Sequence, residues 1–232
     1  MILAVVNSAT ERLGYVEESL KRYVISFSCV EASHLQELGS QTLIASRYSG
    51  MVILGNFQSI YEEDRYPFIA YEKKVVEEFI ESNKPVIGIS FGAQIVASVL
   101  GARVYRGDRG AEIGWYELQI TGDGAKDAVF SKYYPRIMAL QWHGDTFDLP
   151  KDAVRIITSS KYLNQGFRYR KNVYGLQFHL EAKKEDVSEW CRVAQISEEE
   201  TQKILSGFDM YSSEMRKISD DLVWWLFVNS VW

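Results

Sequence analysis

The sequence predicts an α/β protein with a doubly wound, mixed sheet and a helical C-terminal extension. In the first half of the chain, short continuous apolar runs alternate with helix-like stretches, a pattern typical of parallel strands covered by helices on both faces. Beyond residue 103 the apolar runs are joined by short turns, which indicates antiparallel strands. After Glu181 the pattern is helical. We therefore expect one α/β domain over residues 1–182, with residues 183–232 packed on it as a helical extension.

The spacing of apolar residues places the individual elements. Predicted strands cover residues 2–6, 24–29, 51–54, 86–89, 112–120, 136–141, 154–158, 166–170 and 173–178. Predicted helices cover residues 10–22, 67–82 and 91–100. In the extension, residues 197–200 resemble a capping box, Gly207 is expected to break the helix, and residues 212–231 form a final helix. The aromatic end of the chain, with Trp224 and Trp232, is expected either to pack on the core or to form a protein–protein surface.

Composition and charge exclude several classes of function. The 232 residues include 26 Lys+Arg and 31 Asp+Glu, a net charge of −5, so binding to nucleic acid or to an anionic membrane is not expected. No apolar run approaches the roughly 20 residues of a membrane span, and the first residues predict a strand rather than a signal peptide. Cys29 and Cys191 make no disulfide framework and are expected to be small buried residues of a cytoplasmic protein. Three histidines without a Cys/His cluster predict neither a metal nor another cofactor.

The segment GISFG, residues 88–92, fits the G-x-S-x-G pattern of a nucleophile elbow. It follows an apolar strand and precedes a predicted helix, which is the context that the pattern requires. A sharp turn there would present Ser90 at the carboxyl end of the sheet, while the glycines on either side relieve crowding. The helix N-terminus adds amide groups and a positive dipole end that favour an anion. The alternative is a glycine-bearing turn with an incidental serine.

A histidine and a glutamate stand two residues apart near the end of the last predicted strand, as His179 and Glu181. Residues i and i+2 of a strand point to the same face, so the carboxylate can reach the imidazole ring. A carboxylate on one ring nitrogen fixes the tautomer and leaves the other nitrogen as a base. An isolated pair of this kind is more often a strand-end histidine beside a solvated acid. Combined with the elbow, it predicts a nucleophile, a base and an orienting acid.

Five segments, in order, resemble those of class I glutamine amidotransferase domains, in particular stand-alone members similar to the amidotransferase part of GMP synthase. They are LGNFQSIYEED (54–64), PVIGISFGAQ (85–94), EIGW (112–115), QWHGDTF (141–147) and GLQFHLE (175–181). The resemblance implies the flavodoxin-like fold of that family over residues 1–182. It also implies hydrolysis of L-glutamine to glutamate and ammonia.

The resemblance implies roles for individual residues as well. Ser90 stands at the position of the family nucleophile, His179 at that of the general base, and Glu181 at that of its orienting acid. The positions that correspond to the oxyanion hole and to substrate-binding residues are Gly55, Asn56, Phe91, Gln94, Trp142 and His143. Ammonia would pass to a separate synthetase or other acceptor subunit, and the resemblance leaves the formation of a homo-oligomer open.

Three features depart from the family pattern. The family nucleophile is cysteine where this chain has Ser90, the usual Gly-Gly-Pro loop reads Gly55-Asn56-Phe57, and the usual proline between His and Glu is Leu180. A thiol is partly ionised near neutral pH, whereas a serine hydroxyl must lose its proton during the attack. We therefore expect slow glutamine hydrolysis or none. An engineered Cys→Ser substitution and natural divergence both explain Ser90, and the changes in the loop and at Leu180 favour natural divergence.

Three functions remain open on the sequence. The first is a glutamine amidotransferase-type protein, active or degenerate, that hydrolyses or binds glutamine. The second is a serine hydrolase or peptidase on the same fold, and the third is a non-catalytic subunit that senses glutamine or holds a synthetase. The complete pair of His179 and Glu181 argues against simple decay of the site, while Ser90 argues against the thioester route.

Overall fold

The computed structural model describes residues 1–8, 10–38 and 43–229. The strands are β1 (Ile2–Val6), β2 (Phe27–Glu31), β3 (Gly50–Ile53), β4 (Val86–Ile89), β5 (Val104–Arg106), β6 (Glu112–Ile120), β7 (Arg136–His143), β8 (Asp145–Phe147), β9 (Ala153–Thr158), β10 (Gly166–Tyr169) and β11 (Val173–Leu176). The helices are α1 (Gly14–Arg22), α2 (Leu35–Leu38), α3 (Phe68–Glu81), α4 (Phe91–Val99), α5 (Lys184–Val193) and α6 (Glu198–Val223). A π-helical turn, Trp224–Val228, continues α6, and 3₁₀ turns cover Ala32–His34, Ile44–Arg47, Gly124–Lys126 and Phe130–Tyr133.

A mixed sheet organises the described part of the chain, with strand order β2-β1-β3-β4-β11-β10-β9-β6-β7. The pairs from β2 to β11 are parallel, and the pairs from β11 to β7 are antiparallel. Strands β5 and β8 form a separate antiparallel pair. This is the doubly wound, mixed sheet of flavodoxin-like type that the sequence predicts.

Apolar cores lie on both faces of the parallel part, as continuous apolar strands require. Ile2 and Ala4 of β1 belong to one core, together with Leu222 of α6. Leu3 and Val5, which point the other way, belong to the second core with residues of α3. The C-terminal helix α6 therefore covers one face of the sheet and packs along α1.

Several predicted boundaries are wrong for identifiable reasons. The helix predicted over residues 10–22 begins only at Gly14, so Glu11 lies in the connection that precedes it. The strand predicted over residues 24–29 begins at Phe27, because Val24 has a φ of 56° and its amide still donates to the Lys21 carbonyl at the end of α1. The three-residue strands β5 and β8 are too short to show a period and were not predicted.

The expected break at Gly207 is also wrong, because α6 runs without interruption from Glu198 to Val223. A side chain at Gly207 would overlap the indole ring of Trp115, and Trp115 Nε1 donates to the Ile204 carbonyl at 2.9 Å. The glycine therefore permits close packing of α6 on the sheet. Ser197 caps the helix by accepting from the Glu200 amide, as predicted. Residues 230–232, at the end of the predicted final helix, lie outside the described residues.

Replacing Gly207 with alanine is expected to destabilise the protein by up to about 2 kcal/mol. The added methyl group collides with a ring that is held in place, at a typical cost of about 1–3 kcal/mol, and this exceeds the roughly 1 kcal/mol that alanine contributes in helix propensity. Urea unfolding measures the difference. Ser206→Ala, on the exposed side of the same turn, is the matched control and should not lose stability. A Gly207→Ala variant that is more stable than the parent would contradict the packing argument.

The two cysteines differ in their surroundings. Cys191 is buried in α5, as predicted, whereas Cys29 is exposed on the edge strand β2, so its expected burial is wrong. An edge strand has no neighbour on its outer side, which is why a central-strand pattern overestimates burial there. Among the described residues, no helix has both the length and the apolar character that crossing a membrane requires.

Candidate active site

Ser90 occupies a strained turn between β4 and α4, at the position where the sequence predicts a nucleophile elbow. Its φ of 54° and ψ of −111° are an unusual conformation for a residue other than glycine. Its amide donates to the Leu176 carbonyl of β11 at 2.7 Å. A side chain at Gly88 would overlap the backbone of Gly92, and one at Gly92 would overlap the Ile53 carbonyl. Both glycines are therefore required for this turn.

His179 and Glu181 follow β11, which lies parallel to and beside β4. Because the carboxyl ends of neighbouring parallel strands meet at one edge of the sheet, the histidine comes to the same edge as Ser90. His179 Nδ1 and Glu181 Oε1 are 2.7 Å apart and both side chains are buried, so the predicted contact is present. The backbone holds the histidine through a hydrogen bond from its amide to the Leu140 carbonyl, at 2.8 Å.

The expected hydrogen bond between Ser90 and His179 is not formed. Within the described residues, the Ser90 hydroxyl has no hydrogen-bond partner, and His179 contacts Glu181 and the Trp142 carbonyl instead. The imidazole also packs against the indole of Trp190 in α5, with ring centroids 4.8 Å apart. Trp190 in turn contacts Trp142. The C-terminal extension therefore supplies one wall of the histidine's surroundings.

Buried acids surround His179 and control its charge. Burial lowers the pKa of His179, but the Glu181 carboxylate, its hydrogen bond, Glu11 and the Trp142 carbonyl together outweigh burial and raise it above its usual value. Burial raises the pKa of Glu11 to about 8, although the nearby imidazole opposes the increase. These groups therefore favour the protonated form of His179, although burial of the ring alone favours its neutral form.

The side chains of Glu11, His179 and Glu181 could in principle surround an ion, since one ligand atom from each lies within 4.8 Å of the others. His179 Nδ1 is already paired with Glu181 at hydrogen-bond distance, however. An acid that orients a histidine explains that contact without an ion. We assign no metal to the group.

Two backbone amides above Ser90 are available to a ligand. In the described part of the chain, neither the Asn56 amide nor the Phe91 amide donates to an acceptor, whereas the Phe57 amide is taken by Asn56 Oδ1 at 2.8 Å. Phe91 is the first residue of α4, where amides have no partner within the helix. Gly55 begins the loop and lies against the Glu11 carboxyl. The Asn56 and Phe91 amides are therefore free to donate hydrogen bonds to a ligand in the cavity.

A cavity of about 230 Å³ opens beside Ser90. It is lined by Asn56, Phe57, Gln58, Ser59, Ser90, Phe91, Gln94, Arg106, Ala111, Ile113, Trp142, His143, Gly144 and Asp145. All the positions predicted for the oxyanion hole and for substrate binding line it except Gly55. Its volume is below the roughly 300–1,000 Å³ of drug-sized pockets and suits a ligand of amino-acid size.

His143 forms part of the cavity wall through a buried network. Its Nδ1 donates to the Asp145 carbonyl at 2.9 Å, and its Nε2 lies 2.9 Å from Glu112 Oε2. Gln165 donates to the same carboxyl oxygen at 2.7 Å. Since a carbonyl can only accept, Nδ1 carries a proton, and the contact with Glu112 needs a proton on one of its two atoms. Both ring nitrogens of His143 are thus hydrogen-bonded. The ring is held in place at the cavity wall and has no free nitrogen to act as a base.

Several residues at the site were not predicted individually. Glu11 falls within the helix predicted over residues 10–22, where an acidic residue in the first turn is common and gives no sign of a role in the site. Trp190 lies beyond the last motif, and Arg106 belongs to a strand too short to detect. Asp145 has no individual prediction and belongs to the QWHGDTF motif; its carboxylate accepts from Ser59 at 2.6 Å and from Tyr61 at 3.3 Å. The QWHGDTF segment was the one available signal for it.

Comparison with known proteins places the site in a family. The family model described as glutamine amidotransferase class I matches residues 13–189. The chain belongs to the class I glutamine amidotransferase family. The match covers Ser90, His179 and Glu181 together with the loop and cavity segments. It confirms the family and fold that the sequence motifs indicate.

Individual proteins similar to this chain are consistent with its membership of this family. A solved glutamine amidotransferase of Thermotoga maritima is 35% identical, with a TM-score of 0.85 and coverage of 96% of each chain. "Gamma-glutamyl peptidase 5" of Arabidopsis thaliana is 29% identical over 142 residues, which is 60% of this chain and 56% of that protein. A GMP synthase of Brachyspira hyodysenteriae is 28% identical over 56% of this chain and 24% of its own length. The matches thus span about half of the peptidase and a quarter of the synthase.

Proposed function

We propose that the cavity beside Ser90 binds L-glutamine and that Ser90, His179 and Glu181 hydrolyse its side-chain amide slowly. The observation that carries the proposal is that a strained serine and two free amides line one cavity, while a histidine paired with a buried acid lies at the same edge of the sheet. This combination supplies a nucleophile, a base and an oxyanion hole. Membership of the amidotransferase family makes glutamine the first substrate to test.

The charges of the cavity support an amino-acid ligand. Asp145 and Arg106 both line it and lie 4.0 Å from each other, so a zwitterionic amino acid that inserts here meets an opposite charge for its α-ammonium and for its α-carboxylate. Gln94 offers an amide at the same wall, where its Nε2 lies 3.3 Å from Gln177 Oε1. These groups support a pose in which the amino-acid end of the substrate lies near Gln94 and the Trp142–His143 segment. The side-chain amide then points toward Ser90.

The reaction follows from these positions. Ser90 Oγ attacks the amide carbon while its proton passes to His179, and the Asn56 and Phe91 amides bind the developing oxyanion. The protonated imidazole gives its proton to the leaving nitrogen, which departs as ammonia. Water, deprotonated by His179, then hydrolyses the ester to glutamate. Hydrogen bonds of this kind are often long without substrate and tighten in the complex, so the missing Ser90–His179 bond is compatible with the scheme.

Cleavage of γ-glutamyl peptides is the second candidate. The two relatives named gamma-glutamyl peptidases are 28–29% identical to this chain. Glutamine and a γ-glutamyl peptide share the acyl part and differ in the leaving group, which is ammonia in one case and an amine in the other. An amino-acid-sized cavity that holds the glutamyl part serves both. Release of ammonia or of an amine from the matching substrate distinguishes them.

Calorimetry tests glutamine binding directly. We expect L-glutamine to bind with a Kd below about 10 mM, equivalent to roughly −3 kcal/mol or better. Asp145→Asn should weaken binding because it removes the negative charge that faces the ammonium group. Asp148→Asn, in the loop after β8 and outside the lining of this cavity, is the matched control and should bind like the parent. Absence of binding up to about 10 mM in the parent would contradict both the enzymatic and the glutamine-sensing proposals.

A further inference from the structure

Glu11 is a buried acid for which the scheme above has no role. It lies in the connection between β1 and α1, and 7% of its surface is exposed. Its Oε2 is buried and, within the described residues, has no hydrogen-bond partner. An unpaired buried carboxyl is costly to a fold. Because this carboxyl lowers the stability of the fold, its presence points to a role in the site.

The position of Glu11 links two parts of the site. A methyl group built on Gly55 would lie 3.1 Å from Glu11 Oε1 and 3.3 Å from Oε2, so the carboxyl packs directly against the start of the oxyanion loop. On the other side, its oxygen, a nitrogen of His179 and an oxygen of Glu181 lie within 4.8 Å of one another. Glu11 thus stands between the loop and the base.

Among the described residues near Glu11, His179 is the one group whose positive charge interacts favourably with an ionised Glu11 carboxylate. Among the described residues, the groups that interact with it electrostatically are His179, Glu181 and Asp186 of α5. Arg12 is directed to Asp186 at 3.7 Å, and its own side chain is 75% exposed. The two neighbouring acids repel an ionised Glu11. In the part of the chain that the structure describes, a protonated His179 is the one group that offsets its charge.

We propose that Glu11 is a positioning residue that stabilises the imidazolium form of His179 and supports the oxyanion loop at Gly55. This deepens the proposed function, on which it rests for its catalytic meaning. Above about pH 8, where Glu11 is ionised, the positive charge that appears on the ring when Ser90 transfers its proton to His179 is balanced by Glu181 and by Glu11. A hydroxyl requires a stronger base than a thiol does, since it is not ionised beforehand. A second acid beside the imidazole supplies that basicity.

The titration of His179 tests the coupling without any substrate. Nuclear magnetic resonance of histidine-labelled protein needs to resolve only His34, His143 and His179. In Glu11→Gln, His179 should titrate at lower pH than in the parent, because a group that stabilises its charged form has been removed. Glu72→Gln, which removes an equally buried carboxyl elsewhere in the fold, is the matched control and should leave the titration in place. His179 titrating at the same pH in Glu11→Gln and in the parent would overturn the proposal.

A second measurement covers a Glu11→Gln variant that does not fold. In the parent itself, the His179 signals should show a second inflection near the pKa of Glu11, about 8, and its absence would contradict the coupling. In a variant that folds, kcat should fall at least about tenfold with KM unchanged, since Glu11 acts on the base and not on the substrate. Failure of glutamine binding in the parent would contradict the proposed function while leaving the titration result intact, so the two failures are distinguishable.

Discussion

Replacing Ser90 with cysteine is expected to raise the rate of glutamine hydrolysis at least about tenfold, equivalent to ~1.4 kcal/mol of transition-state stabilisation. The elbow offers a helix N-terminus and a histidine whose pKa is raised by a buried acid, and both stabilise a thiolate–imidazolium pair. A serine forms no such pair before the reaction, so its attack waits for proton removal. Release of ammonia and of glutamate from the purified variant measures the gain.

Two further variants test whether the gain in rate comes from a thiol acting as the nucleophile at position 90 or from an added thiol in general. Ser98→Cys places a thiol on the same helix, away from the cavity, and should not change the rate. His179→Ala in the Ser90→Cys background should abolish the gain, because no base remains to ionise the thiol or to protonate the leaving nitrogen. If Ser90→Cys brings no gain while the parent cleaves esters or peptides at Ser90, the protein is a serine hydrolase and the glutamine proposal is wrong.

The stability of the protein is expected to fall as pH rises from about 4.5 to about 8, and Glu72→Gln should remove a large part of that fall. Burial raises the pKa of Glu72 from 4.5 to about 8, although the hydrogen bond from Asn7 opposes the increase. The folded protein therefore keeps a proton that the unfolded chain releases, and stability is lost across this pH range. The loss amounts to on the order of 4 kcal/mol between pH 4 and pH 9.

Chemical unfolding at a series of pH values measures this effect. Glutamine can still accept from Asn7 and carries no titrating group, so Glu72→Gln should match the parent at pH 4 and exceed it by several kcal/mol at pH 9. Glu77→Gln, on the exposed side of the same helix α3, is the matched control and should follow the parent at every pH. A constant difference between Glu72→Gln and the parent across the whole range would contradict the burial of an ionising Glu72.

The central part of the fold and the positions of the proposed nucleophile and base follow from local sequence patterns. The apolar strand before Ser90, the glycines on either side of it and the helix after it all act within a few residues, so a short motif specifies the turn. His179 and Glu181 are likewise close in sequence. Their adjacency to Ser90 follows from the parallel order of β4 and β11, which a predicted α/β fold already suggests.

The features that sequence patterns missed depend on contacts between distant residues. Glu11 acquires its significance from Gly55 and His179, which are far from it in the chain, and from the late start of α1. Gly207 reads as a helix break, yet packing against Trp115 overrides its low helix propensity. Trp190 contacts His179 only because α5 folds back over the end of β11. The helix and strand propensities of neighbouring residues do not specify these long-range contacts.

Covalent labelling at position 90 tests most directly whether this site binds and attacks a glutamyl group. We expect an electrophilic glutamine analogue to add once to Ser90→Cys, with peptide mapping by mass spectrometry locating the adduct at residue 90. Excess L-glutamine should protect the residue, and His179→Ala should slow the labelling. The parent, which keeps Cys29 and Cys191, controls for labelling of the other thiols. An adduct elsewhere in the chain, or labelling at residue 90 that L-glutamine does not slow, would contradict the proposed function.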